Sequence, residues 1–297
     1  MTSTTDTALA WAERAWARGV RDVRPLRGGW TSTMLGLVAD HGERSVLRLM
    51  TKEPWRTHAP GLLAREAAVQ LMLAGTPLPA PASIAVDPDG SRAGTPAHLM
   101  SWLPGAVDLS RDDDDFLGAL AGLLAEVHRV DPGPERPRDY QSWAVPAKRV
   151  VPPWAGRPGL WSEAFDVLAG DPPPFRGTFL HRDFHLGNVL WAGGEVSGLV
   201  DWVETSWGPA ALDVAHASTY LAMLHGPTAA HRFAAAHRAF AGEQADPGPE
   251  RYWRVLDAVG YLPDPGKVAQ PWRDQGLEIS DALACARLED WLAAVLG

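Results

Sequence analysis

Apolar positions along the chain follow two periods, and the place where one gives way to the other divides it. Leu9, Trp11, Ala12 and Trp16 recur at helical spacing behind Asp6 or Thr7, either of which caps a helix, and Gly19 ends the run. The pattern then shortens to that of strands, at Val23–Leu26, Thr33–Ala39 and Ser45–Met50, with tight turns at Gly28-Gly29 and over Asp40–Glu43. This predicts a β-meander. A helix over about 62–74 is stopped by Gly75 and Pro77, and two short strands are expected at Ser83–Val86 and Ala97–Trp102. After Leu103-Pro104-Gly105 the helical period dominates, over about 112–129, 161–168, 210–224, 228–241, 251–259 and 279–296. One β-rich run interrupts it, with strands at Phe179–His181, Val189–Trp191 and Val196–Val200. Polar residues sit at the edges of these strands, the usual place for loops that do chemistry. The expected architecture is α+β: an antiparallel-sheet lobe over 1–102 with one helix, and a larger, mainly helical lobe over 103–297.

Composition narrows the function. With 297 residues, 46% of them hydrophobic and 21% charged, the chain can bury a large core. A net charge of -9 gives no basic face for duplex nucleic acid, so no nucleic-acid partner is expected. Cys285 is the only cysteine, which excludes an intrachain disulfide and a cysteine-built zinc site. No uninterrupted apolar run reaches about 18 residues and the N-terminus lacks a signal-peptide pattern. A cytoplasmic protein with no membrane association is expected, and no obligate protein partner is evident. The acidic run Asp112–Asp115 reads as a helix start, where carboxylates complement the macrodipole. Ten of the 26 prolines fall within 131–174, which predicts an irregular excursion between helices, either a lid or a passive linker.

The strongest chemical signal is His181-Arg182-Asp183-Phe184-His185-Leu186-Gly187-Asn188. Asn188 follows Asp183 by five positions, and Asp201 follows it by 18, at the end of a strand. Phosphoryl transfer from ATP needs one carboxylate to orient the acceptor hydroxyl and take its proton. It needs an amide oxygen and a second carboxylate to hold magnesium on the phosphates. A loop followed by a hairpin can bring Asp183, Asn188 and Asp201 around one point. The pattern is that of a catalytic loop H-R-D-x-x-x-x-N followed by a metal-binding aspartate. His181 and His185 could suggest a zinc pair, but no H-E-x-x-H helix is present. There is also no G-x-S-x-G elbow and no G-x-x-x-x-G-K-[ST] loop. His128, His216 and His225 read as helix-packing or surface residues.

The segment 181–213, HRDFHLGNVLWAGGEVSGLVDWVETSWGPAALD, resembles the aminoglycoside phosphotransferase family, which has a protein-kinase-like bilobal fold. It shares the histidine and aspartate of the loop, the asparagine five later, Asp-Trp in place of Asp-Phe-Gly, and Gly-x-x-x-x-Asp. The resemblance implies that Asp183 is the catalytic base and that Asn188 and Asp201 are magnesium ligands. It also implies that His181 and Asp213 brace the loop. Leu26–Ser32 lies where the family covers the phosphates, which implies nucleotide contacts at Gly28, Gly29 and Ser32; a plain hairpin turn explains the two glycines equally well. Arg48 stands in the place of the family's nucleotide-binding lysine, a departure that keeps the charge but spreads it over a planar fork. Glu66, 18 residues on, is the implied partner of Arg48. His98–Gly105 resembles the hinge, with backbone near Met100–Trp102 at the adenine edge and Trp102 packed near the base. The implied cofactors are ATP and magnesium, with GTP as an alternative donor.

Only 12 residues separate Asp201 from Asp213, too few for an activation loop and a peptide-docking segment, so a small-molecule acceptor is expected. Glu204, Asp257, Asp264, Asp274, Glu278 and Asp281 could line an acidic pocket suited to a polyamine antibiotic. Trp202, Trp207, Trp253 and Trp272 could equally form an apolar wall for a sugar or macrolide. The expected activity is O-phosphorylation of such an antibiotic, as in resistance. The alternatives are a metabolite kinase acting on choline, homoserine or a sugar-like acceptor, and a non-catalytic ligand binder of the same fold.

Overall fold

Alternation along the strands sorts side chains onto two faces of a sheet, and each face has its own cover. In the computed structural model, which describes residues 4–27, 31–242 and 250–297, a five-stranded antiparallel sheet runs in the order β1-β2-β3-β5-β4. Its strands are β1 (Val20–Pro25), β2 (Thr33–Ala39), β3 (Arg44–Leu49), β4 (Ser83–Asp87) and β5 (Ala97–Ser101). Leu35 and Leu37 of β2, Leu47 and Leu49 of β3, and Ala97 and Leu99 of β5 cluster with Ala8, Trp11 and Ala12 of helix α1 (Thr4–Trp16). The intervening positions Arg48, His98 and Met100 therefore point the other way, where helix α2 (Trp55–Leu73) presents Glu66 and Gln70 one turn apart. The helix starts earlier than its apolar period predicts and carries Pro60 inside it.

This sheet belongs to a unit formed by Met1–Ala106 together with Leu190–Gly193 and Ser197–Glu204. By its contacts the unit runs to Ala106, four residues past the boundary expected from the sequence, and includes the hairpin that carries Asp201. Strands β8 (Val189–Ala192) and β9 (Glu195–Leu199) form a small sheet with β6 (Ala106–Val107). The hairpin is tied down locally: Leu199 N–H donates to Pro79 O (2.8 Å), Arg65 donates to Val203 O (2.6 Å), and Val203 packs on Met50, Ala59, Leu62 and Leu63. Gly105 sits at φ +100°, and a Cβ there would lie 2.6 Å from Trp191 O. Only glycine fits this approach to the hairpin. Its helices α1 and α2 are the two that the helical periods before Gly19 and over 62–74 predict.

The second unit comprises Val107–Val189, Gly194–Val196 and Thr205–Gly297. Its centre is α5 (Ala210–His225), buried on all sides through Leu224 and packed against α6 (Pro227–Ala241), α7 (Arg251–Gly260) and α9 (Asp281–Leu296). Helix α3 (Asp114–His128) packs on α6, and Asp113 caps α3 by accepting from Phe116 N–H (3.0 Å), the role expected for this acidic run. The proline-rich segment contains α4 (Pro158–Ala169), so it is not structureless. It is fastened to α9 by Glu289, which accepts from the backbone of Gly156 and Arg157 and from Trp161 Nε1. Two elements escape the periodicity: strand β10 (Ser206–Pro209), paired with β7 (Gly177–Leu180), and helix α8 (Gly266–Asp274), which contains Pro271. No helix among the described residues is long and apolar enough to cross a membrane.

Candidate active site

Strand β7 delivers the chain into the loop 181–188, and its partner β10 delivers it into α5. The start of α5 is thereby set beneath the loop. Asp213, fully buried, accepts from the backbone N–H of His181 (2.9 Å) and of Arg182 (2.8 Å), with His128 Nε2 3.3 Å away. Burial opposes its ionisation, but His128 and these donors outweigh it and hold its carboxyl below the usual range. Arg182 has φ 72°, a conformation unfavourable for a residue with a side chain. Its guanidinium stacks 3.8 Å from the Trp143 ring and donates to Gln141 O (3.2 Å). The brace and this stack hold the turn that presents Asp183.

One face of α5 lines the loop. Asp213, His216 and Tyr220 are spaced i, i+3 and i+7, the positions that share a helix face. His216 Nε2 lies 3.2 Å from Asp183 Oδ1, while Tyr220 stacks on His185 with ring centroids 4.2 Å apart. His185 Nε2 lies 3.7 Å from the same Oδ1. Asn188 Nδ2 donates to Asp183 O (2.9 Å) and Oδ2 (3.3 Å). Asp183 is buried enough for desolvation to disfavour its charge, yet His185 and His216 outweigh that and hold it well below the ordinary carboxylate range. It is an ionised acceptor at neutral pH, as a group that orients a hydroxyl must be.

In the first unit, Arg48 and His98 are direct cross-strand partners flanking Glu66. Glu66 is 0% exposed; His98 Nδ1 is 2.9 Å from Oε2 and Arg48 Nη2 is 3.5 Å from Oε1. Burial raises the proton affinity of Glu66, but Arg48 and His98 overcome it and lower its pKa. Arg48 Nη1 also donates to Asp201 Oδ1 (2.9 Å). Asp201 sits at φ 67° directly after β9, so the strand end turns sharply there. The sequence reading pairs Arg48 with Glu66 but gives no sign of His98.

The remaining expected residues fall as follows. Gly28 and Gly29 lie outside the described residues. Ser32 is buried, its hydroxyl 3.4 Å from Met34 Sδ. Met100 is paired on both sides within the sheet, and Ser101 N–H donates to Ala82 O (2.9 Å). The backbone there serves the sheet. Trp102 is half-buried, packed on Gly36 beneath the Arg44 guanidinium (4.6 Å). Glu204 is half-buried in the turn that ends the hairpin. Trp207 is half-buried on β10, with Arg136 5.8 Å from its ring.

The expected acidic lining is not assembled. Asp257 is 4% exposed, with Oδ1 3.0 Å from His216 Nδ1. Asp274 is exposed and bonded to Gln270, Asp281 pairs with Arg273, and Glu278 is exposed. Trp202, Trp253 and Trp272 are fully buried core residues, not walls of a pocket. His128 and His216, expected as packing or surface residues, instead reach Asp213 and Asp183. The spacing Asp213–His216–Tyr220 on one helical face is the signal that could have exposed the role of α5.

The donor atoms suit magnesium. In the second unit the two donor bonds of Asn188 Nδ2 aim its amide nitrogen at Asp183, so the amide oxygen is left as a hard ligand; Asp201 of the first unit, taken by itself, offers a carboxylate. Asp183, His185 and His216 have donor atoms within 4.8 Å of one another, the spacing of a three-ligand cation site. Gly187 N–H donates to His185 Nδ1 (3.0 Å), while Nε2 of this ring lies 3.3 Å from Asn188 Nδ2 and 3.7 Å from Asp183 Oδ1. A Cβ at Gly187 would lie 2.9 Å from that ring, so glycine permits the contact. The three groups stand as a charge cluster around Asp183.

The sequence pattern of the phosphotransferase enzyme family matches residues 22–253. A homoserine kinase from Methylorubrum populi is 31% identical over 139 residues, which is 42% of this chain and 42% of that kinase. The chain spans about half or less of the length of the curated relatives it matches. Among solved structures, a ternary complex of a thermostable mutant of aminoglycoside phosphotransferase APH(4)-Ia with AMP-PNP and hygromycin B superposes at a TM-score of 0.64. It is 16% identical and covers 97% of this chain and 98% of that one. The macrolide 2'-phosphotransferase MphH from Brachybacterium faecium superposes at 0.62, 17% identical, covering 95% and 98%. At these identities the likeness is one of fold.

Proposed function

The chain belongs to the phosphotransferase enzyme family, and from that premise we propose that it transfers the γ-phosphoryl group of ATP to a hydroxyl of a small molecule. The observation that carries the reading is the braced loop 181–188, in which Asp183 is held ionised while Asn188 fixes its far oxygen. Asp183 orients the acceptor hydroxyl and takes its proton as the oxygen attacks phosphorus. Asn188 and Asp201 would hold magnesium, which neutralises the charge on the phosphates. Arg48, set by Glu66 and His98, carries the positive charge for the phosphates. The nucleotide complex of the APH(4)-Ia mutant supports a nucleotide donor; GTP is a second donor to test.

The first acceptor class is an antibiotic such as an aminoglycoside or a macrolide, supported by the fold likeness to enzymes named for both. A metabolite hydroxyl of the homoserine type is a second reading, favoured by the local identity to a homoserine kinase and by the failure of the acids on α7 and α8 to form a lining for a polycation. The test is ATP turnover across both acceptor panels for wild type and Asp183→Asn. The variant is expected to lose at least about a thousandfold in kcat while its affinity for magnesium–nucleotide stays within about twofold. Full turnover by Asp183→Asn would reject Asp183 as the base.

A further inference from the structure

His216 is a buried residue that the reaction as described does not use, and both of its ring nitrogens face carboxylates. Nε2 is 3.2 Å from Asp183 Oδ1 and Nδ1 is 3.0 Å from Asp257 Oδ1. Ionised carboxylates only accept hydrogen bonds, and a neutral imidazole has one donor and one lone pair. A neutral ring here would turn its lone pair on one of the two oxygens, whereas an imidazolium presents a proton to each: the Nδ1 contact is a hydrogen bond, and the Nε2 contact is an ion pair without hydrogen-bond alignment. Asp257 comes from α7, a different element from the loop and from α5, and its buried Oδ2 has no hydrogen-bond partner among the described residues. An aspartate in that position without a cation beside it would be an uncompensated buried charge.

We propose that His216, held as an imidazolium by Asp257, is a positioning residue that fixes the Asp183 carboxylate for phosphoryl transfer. The proposal rests on the reading of Asp183 as the base. As the acceptor oxygen bonds to phosphorus and the bond to the β-phosphate oxygen breaks, the hydroxyl proton passes to Asp183, whose charge is lost. His216 keeps its own proton, and Asp257 remains as its counter-charge. Asp257 is what lets the imidazolium stay through the step. Without His216, the nearest charged neighbour of Asp183 Oδ1 given above is His185, at 3.7 Å, with Asn188 holding the other oxygen; small errors of placement are costly in such reactions.

The other groups facing His216 are few. Tyr261 lies with its hydroxyl 3.5 Å from Nδ1, His185 with its ring 5.7 Å away, and Trp143 edge-on at 5.1 Å. Lys148 lies near enough to Asp257 to feel its charge, and Arg182 stacks behind Trp143. Tyr220 and His181 are further titratable groups around the loop among the described residues. Burial alone would push His216 towards neutrality, but Asp257 and Asp183 outweigh it and raise its pKa to about 9. His185, with no second carboxylate behind it, is lowered to about 4 by burial.

The test is a histidine ¹⁵N NMR titration of the full chain, wild type and Asp257→Asn, with pH–kcat profiles of ATP consumption for both using water as acceptor. In wild type, His216 is expected to stay protonated well above the other histidines, and kcat to fall on the alkaline side with the same midpoint. Asp257→Asn should lower both midpoints together by about one pH unit or more and reduce kcat about tenfold, with KM for ATP within about twofold; Asp257→Glu should restore most of kcat. A merely structural role would lower thermal stability and move the His216 midpoint while leaving that of kcat in place. A neutral His216 at pH 7 overturns the proposal, and so does an Asp257→Asn profile that superimposes on wild type. Failure of the kinase reading shows separately, in full turnover by Asp183→Asn, whatever the His216 midpoint.

Discussion

Replacing Asp213 by asparagine exchanges one oxygen for an amide nitrogen and removes half the support of the catalytic loop. The carboxylate accepts both the His181 and Arg182 N–H groups, each with a separate oxygen. Asparagine keeps one acceptor and sets an NH₂ donor against the other N–H. One buried backbone donor is left unsatisfied, at about 1–3 kcal/mol, and the surviving bond loses its charge assistance, at about 1 kcal/mol. The tether on Arg182, held at φ 72°, is weakened as well. A total of about 2–4 kcal/mol follows. For a unit of this size each kcal/mol is worth about 2–4 °C, so Tm should fall by roughly 5–15 °C. The sign with pH is also set. The Asp213 pKa is lowered in the folded chain, so its contribution is complete above the ordinary carboxylate pKa and disappears as pH falls through the lowered value. The difference in Tm between wild type and Asp213→Asn should therefore be largest near neutral pH and shrink in acid. Differential scanning calorimetry from pH 7 down to about 3 reads both quantities. A change in Tm under about 1 °C at pH 7, or a difference that grows in acid, would refute the reasoning.

Two further outcomes follow from the same geometry. Glu66→Gln should leave Arg48 with Asp201 as its remaining carboxylate partner among the contacts above, and isothermal titration should show magnesium–nucleotide Kd rising about tenfold; an unchanged Kd would detach Glu66 from the nucleotide side. Glu289→Ala removes the acceptor for Gly156, Arg157 and Trp161, so limited proteolysis should cut within 131–160 at least about tenfold faster than in wild type, while a segment that cleaves equally fast in both would not be fastened there.

Most of the site's chemistry is legible in the sequence because it is local. Asp183 and Asn188 lie five apart on one loop, and a run of that kind carries its geometry with it. The pairing of Arg48 with Glu66 is what the family resemblance implies, and the two side chains do meet. The misses share one cause, that the partner is distant in sequence. His98 meets Glu66 because β5 pairs with β3 in the register that sets Arg48 opposite His98. His216 meets Asp183 because β10 pairs with β7 and so aims α5 at the loop. Helix α8 was missed for a different reason: Gly266 and Pro271 break a pattern that the packing of Trp272 and Ala269 restores.

By itself the sequence determines the periods of its elements, the catalytic loop and the family to which the chain is related, since these depend on residues close together along it. The tertiary structure alone decides the state of the charged groups. Asp257, on an amphipathic helix, reads as one more solvated or substrate-facing acid until α7 packs on α5 and closes water off from it. The same packing turns His216 from a helix residue into the cation between two carboxylates. Charge state depends on burial and on neighbours within a few ångströms, and both are properties of the folded chain.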